Sequence, residues 1–138
     1  MTVVLDCNII VMSLTSRSAY HRIYRALVNG DFKIAVSSEI MLEYEEVIER
    51  KYNIRTARAF VSLLRELPNV LHTTVYFNWK LIEGDTDDNK YVDCAIAAQA
   101  EYIVTQDKHF HVLKQIAFPK VQTISIDTFL GKCANTNW

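Results

Sequence analysis

The sequence contains few of the residues that interrupt or cross-link a chain. Of its 138 residues, three are glycine, two are proline and three are cysteine. With so little glycine and proline, no stretch has the composition of a flexible linker or a low-complexity tract. We therefore expect one globular domain over residues 1–138, a length that buries roughly two-thirds of the surface exposed by the unfolded chain.

The cysteines do not form a cross-linking or zinc-binding pattern. Cys7, Cys94 and Cys133 are an odd number, and no two of them have C-x-x-C spacing. Neither a disulfide framework nor a zinc knuckle is indicated. We expect small, largely buried thiols.

Long hydrophobic runs are also missing. The apolar segments are short and interrupted, and none approaches the roughly 20 residues that a membrane-spanning helix needs. The first residues lack a basic segment and reach Asp6 before a signal-length apolar region could form. We therefore expect a cytoplasmic protein with no membrane partner.

The net charge has no basic excess of the kind that marks many nucleic-acid-binding domains. Its formal value is -1, from sixteen acids and fifteen lysines and arginines. If four acids share a metal site, however, the remaining twelve face fifteen cations and the rest of the molecule carries +3. A polyanionic substrate is therefore not excluded.

Short apolar runs alternate with helical patterns along the chain. The runs predict strands at 3–5, 34–36, 70–76, 102–105 and 121–126. Helical periodicity or composition predicts helices at 19–28, behind Ser37 or Ser38, at 57–67 before Pro68, and at 89–100. This alternation indicates an α/β fold with three layers, α/β/α, and a mainly parallel central sheet of about five strands.

Polar residues follow several of the predicted strands. Asp6 ends the first, Ser37 follows the second, and Thr105 and Asp107 close the fourth. Ligands of open parallel sheets collect beyond the carboxyl ends of the strands. We therefore expect these side chains at one edge of the sheet.

Two further acids are expected on helices near that edge. Glu43 borders the apolar stripe between Ile40 and Val47, which makes it the acid of its helix best placed to face inward. Asp93 lies about one turn into the last of the predicted helices. A solvated stripe-edge position for Glu43 and a helix-dipole role for Asp93 remain open alternatives.

The strand-end acids have alternatives of their own. Asp107 is also suited to cap a helix that begins near Lys108. Asp6 follows three apolar residues, so its charge is expensive to bury unless it is paired or bound to metal. Gathered carboxylates repel one another, and oxygen-rich sets of them are what Mg²⁺ or Mn²⁺ requires.

At this point the chain resembles a known family. Four segments, in order, look like the successive signatures of PIN domains: Leu5-Asp6-Cys7-Asn8, Ser37 through Glu43-Tyr44, Asp93 through Ala98, and Val104 through Asp107. The resemblance covers essentially the whole chain. It is strongest to the prokaryotic, VapC-like subgroup of toxin components, in which S-x-x-x-x-x-E-Y-x-E-V and D-D-N-K-Y/F segments recur.

The resemblance implies a function and a set of site residues. It implies a metal-dependent endoribonuclease that uses Mg²⁺ or Mn²⁺, pairs with an antitoxin protein and forms a homodimer. The implied metal-binding and catalytic acids are Asp6, Glu43, Asp93 and Asp107, with Asp88 as an additional metal ligand. Asn8 and Thr105 are implied as supporting polar residues, and we add Ser37 to them. For Asp88, a capping role at the Asn89 helix is an equal alternative.

Basic residues near the acids are candidates for holding the substrate phosphates. We assign this role to Arg17, Lys108 and His109, with a solvated surface as the alternative. A transition-metal site at His109 and His111 is not favoured, because neither a strand nor i, i+4 spacing brings the two rings together.

Three other functional classes share some of these sequence features. A receiver-type signalling domain needs a second acid beside Asp6 and a lysine at the end of the last strand, but Lys120 begins that strand. A calcium loop starting at Asp85 fails because Lys90 and Ile96 stand where it needs Gly and Glu. A non-catalytic PIN-like scaffold remains the main alternative.

Overall fold

The computed structural model describes residues 1–84 and 86–134. In that part of the chain, five strands form one sheet with the order β3-β2-β1-β4-β5, and every neighbouring pair is parallel. The strands are β1 (Thr2–Leu5), β2 (Lys33–Val36), β3 (Val70–His72), β4 (Tyr102–Val104) and β5 (Thr123–Ile124). The predicted parallel sheet in a three-layer α/β/α fold is confirmed.

Helices connect the strands. They are α1 (Cys7–Leu14), α2 (His21–Asn29), α3 (Ser38–Lys51), α4 (Ile54–Glu66), α5 (Asn89–Ala98) and α6 (Ile126–Ala134), with 3-10 helices at Thr86–Asp88 and Lys108–Gln115. Side-chain oxygens cap the start of several of them; for example, Ser37 Oγ accepts from the Ile40 N–H, Asn53 Oδ1 from the Thr56 N–H and Ser125 Oγ from the Thr128 N–H. Among the described helices, none is long and apolar enough to cross a membrane.

The centre of the sheet is fully covered. Val3, Val4 and Leu5 of β1 have no exposed surface, as the continuous apolar run predicts for a strand between two helical layers. Helix α5 packs on β1, β2 and β4, while α1 contacts α2 and α3. Burial of β1 places the first polar residue after it, Asp6, at the edge of the core.

Two helices and two strand ends differ from the sequence prediction. Helix α1 was not predicted, because its apolar and β-branched residues look like a continuation of β1. Helix α6 was also missed, and its start at Ile126 shortens β5 to two residues. Strand β3 ends at His72 rather than at position 76.

Candidate metal centre

The register of β1 and β4 brings the first two polar residues together. Leu5 pairs with Val104, so Asp6 and Thr105 are neighbours where the strands end, and the Asp6 N–H donates to the Val104 carbonyl at 3.1 Å. Thr105 Oγ1 donates to Asp6 Oδ2 at 2.9 Å and accepts from the Asp107 N–H at 3.0 Å. One hydroxyl therefore links two of the predicted acids.

Asp6 is the most deeply buried of these acids. It is 4% exposed, and burial raises the pKa of its carboxyl although the Thr105 and Cys7 hydrogen bonds oppose the shift. The negative charge of Asp107 raises this pKa further. In the described part of the chain, no Lys or Arg forms an ion pair with Asp6. A buried carboxylate of this kind is costly unless a cation compensates it.

A second carboxylate group forms around Asp107. Its Oδ1 accepts from the His109 N–H at 2.9 Å, so the predicted capping role is real. The His109 Nδ1 also lies 3.2 Å from both Asp107 Oδ1 and Asp88 Oδ2. Asp88 occupies the N-cap position of α5 but makes no side-chain capping hydrogen bond. Its carboxylate is directed to the Asp107 and His109 group instead.

Helix α3 brings Glu43 to the end of β1. The neighbouring residue, Tyr44, is fully buried and donates a hydrogen bond from its hydroxyl to the Leu5 carbonyl, which fixes α3 against the strand. Asp6, Cys7 and Glu43 each offer an atom within 4.8 Å of the others. Glu43 therefore faces inward, as its stripe-edge position predicts.

Two residues of α5 hold Glu43. The Lys90 Nζ lies 2.7 Å from Glu43 Oε2, and the Tyr91 hydroxyl donates to Glu43 Oε1. Burial alone would raise the pKa of Glu43, but the Lys90 and Tyr91 hydrogen bonds outweigh it and the pKa is lowered. The same contact outweighs the burial of Lys90 and raises the pKa of its ammonium. Glu43 is thus an ionised, already paired carboxylate.

Asp93 has a different hydrogen-bond partner from these two groups. Its Oδ1 accepts from the Trp79 N–H at 3.0 Å, and burial raises the pKa of its carboxyl. It lines a cleft of about 650 Å³ together with Glu39, Asn78 and Lys90. Asp93 belongs to neither group of ligand atoms within 4.8 Å, and its membership of the shared acidic site stays a prediction.

The remaining predicted residues occupy different places. Asn8 is exposed in the first turn of α1, and Ser37 is a buried helix cap that lines a cavity of about 260 Å³ with Asp93. Arg17 is exposed in the turn between α1 and α2, while Lys108 is exposed directly after Asp107. Asp85, from the rejected calcium loop, lies outside the described residues.

Sequence reasoning did not find three neighbours of the acids. They are Cys7, Lys90 and Tyr91, and each adjoins a predicted acid or its segment along the chain. Burial raises the pKa of the Cys7 thiol to about 12, so the thiol is protonated at neutral pH. The D-D-N-K-Y segment could have indicated Lys90 and Tyr91, because it carries them directly after Asp88 and Asn89.

The donors present fit a hard divalent cation. Ligand atoms within 4.8 Å of one another form two groups among the described residues, Asp88 with Asp107 and His109, and Asp6 with Cys7 and Glu43. Carboxylate oxygens such as these are the ligands that Mg²⁺ and Mn²⁺ prefer. A cation in the second group would also compensate the buried charge of Asp6. The described carboxyl edge of the sheet therefore has the composition of a divalent-metal site.

The family of this chain is identified by comparison with known protein domains. The model of the PIN domain matches residues 2–109, which is more than half of the chain. The chain belongs to the PIN-domain family. Membership supports a nuclease, and it confirms the resemblance stated from the sequence segments.

Solved PIN-domain structures share the fold. The chain is similar to VapBC2 from Rickettsia felis, bound to a DNA fragment from its promoter, with a TM-score of 0.61 and 18% identity over 91% of this chain and 98% of that one. For VapC20 from Mycobacterium tuberculosis, a sarcin-ricin loop cleaving toxin, the TM-score is 0.60 and the identity 15%, over 87% and 98% of the chains.

A third similar structure is the RRP44 PIN domain from T. brucei. It has a TM-score of 0.53 and 15% identity, over 96% of this chain and 80% of that one. No curated protein sequence matches the chain significantly. At these identities the structural matches establish the PIN-like fold and not the biological role of this PIN domain.

Proposed function

We propose that this protein is a ribonuclease that hydrolyses RNA phosphodiester bonds with Mg²⁺ or Mn²⁺. The observation that carries the proposal is the convergence of acids at one edge of the sheet, where Asp6 lies with Glu43 and Asp107 lies with Asp88. Thr105 links Asp6 to the segment that carries Asp107. Glu43 completes the acidic site from α3. A scaffold function would not require this concentration of buried and partly buried charge.

The residues of the chain have separable roles in this proposal. The carboxylates of Asp6 and Glu43, and those of Asp88 and Asp107, hold the metal. Thr105 links Asp6 to the segment that carries Asp107. A bound divalent ion would supply an activated water nucleophile and would neutralise charge on the phosphate. The exposed residues Lys108 and His109, next to Asp107, are placed to contact the substrate phosphates. Arg17 stays a prediction for this role.

Cleavage of purified RNA tests the proposal. Wild-type protein should cleave RNA with Mg²⁺ or Mn²⁺, should lose this activity in EDTA, and should leave 5′-phosphate and 3′-hydroxyl ends. Asp6→Asn should remove the activity, whereas Glu49→Gln, which changes an exposed acid of α3, should not. Undiminished cleavage in EDTA, or products with 2′,3′-cyclic phosphate, would contradict the mechanism.

We further propose that the enzyme is the toxin of a toxin–antitoxin pair and acts in the cytoplasm. Support comes from the VapC-like sequence segments and from the likeness to a VapBC structure. Induced expression should stop growth of a bacterial host, and co-expression of the adjacent reading frame should restore it. Growth arrest that persists in Asp6→Asn would show that toxicity does not come from this site. If no neighbouring frame restores growth, the antitoxin proposal fails while the nuclease proposal stands.

A further inference from the structure

Three aromatic side chains form a cluster at the surface. The rings of Phe77 and Trp79 meet edge to face with centroids 4.7 Å apart, and the Phe118 ring, from the segment before β5, lies 6.3 Å from that of Trp79. Phe77 and Phe118 are 61% and 83% exposed, whereas Val75 and Leu81, on either side of the first two rings along the chain, pack against the core. The cluster therefore presents aromatic surface to solvent.

Contacts on α5 join this cluster to the acidic site. The Trp79 N–H donates to Asp93 Oδ1 at 3.0 Å, and Asp93 lies one helical turn after Lys90. Residues one turn apart on a helix are neighbours on its surface. The Lys90 Nζ is 2.7 Å from Glu43 Oε2, and Glu43 shares a group of ligand atoms with Asp6. The rings thus adjoin the Glu43 side of the acidic site, within reach of a base next to a phosphate bound there.

The cleft beside Asp93 suits a base better than a phosphate. It is lined by Asn78, which stands between Phe77 and Trp79 along the chain, and its described lining includes four acids and two lysines. This excess of carboxylates disfavours a second phosphate. A carboxylate accepts instead from the exocyclic amino group of a base. Glu39, exposed in the first turn of α3, is the acid we assign to this contact.

We propose that Phe77 and Trp79 form a stacking subsite for an unpaired base of the RNA substrate, and that the adjoining cleft favours bases with an exocyclic amino group. The inference rests on the proposed ribonuclease function and deepens it, because it specifies how RNA is held beside the metal site. Stacking supplies affinity for any base, since every base has a π-face. The Glu39 carboxylate then distinguishes an amine from a carbonyl oxygen.

Cytidine and uridine oligomers are a matched pair of probes, because cytosine carries an N4 amine where uracil carries the O4 oxygen. Fluorescence polarisation of labelled single-stranded oligomers in EDTA measures their binding to the full chain without cleavage. Wild-type protein should bind the cytidine oligomer more tightly than the uridine oligomer. Glu39→Gln should reduce this preference, because the amide that replaces the carboxylate also donates to O4. Pairing the cytidine oligomer with its complement should weaken its binding, since a paired base is not free to stack on the rings.

Variants of the rings test the stacking. Phe77→Ala should weaken the binding of both oligomers on the order of tenfold, as expected for the loss of one stacked base. Phe77→Leu, which keeps an apolar side chain without a π-face, should weaken it similarly, whereas Phe77→Tyr should retain the affinity. Val28→Ala, which shortens an exposed apolar residue of α2, should match wild type. Quenching of tryptophan fluorescence by bound oligomer should be lost in Trp79→Phe, which keeps an aromatic ring.

The outcomes separate this inference from the function on which it rests. Wild-type affinity in Phe77→Ala would overturn the stacking subsite, and equal wild-type affinity for the two oligomers would overturn the base preference. If Phe77→Leu binds RNA normally while Phe77→Ala lowers the mass measured by light scattering, the rings are an interface between two copies of the chain. In each of these cases, RNA cleavage by wild type with Mg²⁺ leaves the nuclease proposal intact. A wild-type protein that neither binds nor cleaves RNA would overturn both proposals. If Phe77→Ala does not fold, Phe77→Leu, Phe77→Tyr and the wild-type preference still decide.

Discussion

Thr105 Oγ1 donates a hydrogen bond to Asp6 Oδ2 at 2.9 Å while it accepts one from the Asp107 N–H at 3.0 Å. Both residues are buried, with Asp6 4% and Thr105 8% exposed. A single hydroxyl therefore satisfies a buried carboxylate and fixes the start of the segment that carries the next acid. Its removal should affect stability and the metal site together.

We predict that Thr105→Val destabilises the protein by about 1–3 kcal/mol, because a buried carboxylate oxygen loses its donor while the side-chain volume is kept. RNA cleavage should fall as well, since Asp6 and Asp107 lose their common link. Urea denaturation and a cleavage assay measure the two effects. Thr105→Ser keeps the hydroxyl and should retain most of the activity. Equal activity in the Val and Ser variants would contradict a role for this hydrogen bond.

The second prediction distinguishes the two acids of the α5 region. Asp88→Asn should abolish metal-dependent cleavage, because Asp88 shares its group with Asp107 and His109. Asp93→Asn should retain most of the cleavage, because its carboxylate accepts from the Trp79 N–H and belongs to neither group of ligand atoms. Initial cleavage rates of both variants provide the test. Loss of activity in Asp93→Asn with normal activity in Asp88→Asn would reverse this assignment.

The third prediction concerns pH and the metal-free protein. Burial raises the folded-state pKa of Asp6 above 3.8, so the unfolded chain releases this proton at lower pH than the folded chain does. Protonated Asp6 therefore stabilises the folded state below pH 3.8, and this contribution is lost as the pH rises through the raised folded-state pKa. In EDTA, the melting temperature of Asp6→Asn should therefore rise relative to that of wild type when the pH is raised from below 3.8 to neutrality.

Melting curves with Mg²⁺ complete that test. The ion should raise the melting temperature of wild type, and of the Glu49→Gln control, but not of Asp6→Asn, which has lost a ligand charge. If Mg²⁺ raises the melting temperature of Asp6→Asn as much as that of wild type, Asp6 is not a metal ligand.

The fourth prediction concerns assembly. The family resemblance implies a homodimer, and we predict one because apolar side chains are exposed, among them Phe118 at 83% and Leu42 at 66%. Light scattering should give about twice the chain mass of 15.9 kDa. A mass of one chain at every concentration tested would refute the dimer and would leave the metal-site predictions unaffected.

Some of these features follow from local sequence alone. The run Val3-Val4-Leu5 before Asp6, and the residues Thr105 and Asp107 after the fourth strand, predicted side chains that meet at the sheet edge. This works because parallel strands bring their carboxyl ends to the same side whatever else the chain does. The inward direction of Glu43 likewise follows from the position of one acid beside an apolar stripe.

Which of Asp88 and Asp93 joins a group of ligand atoms, and which residues are the partners of Glu43, only the tertiary structure decided. Both aspartates lie within six residues of one another near the start of α5, and helical periodicity does not tell which of them faces the strand ends. That depends on how α5 packs on β1, β2 and β4 and against α3. The same packing sets Lys90 and Tyr91 against Glu43, 47 and 48 residues away along the chain, and no local pattern encodes a contact at that separation.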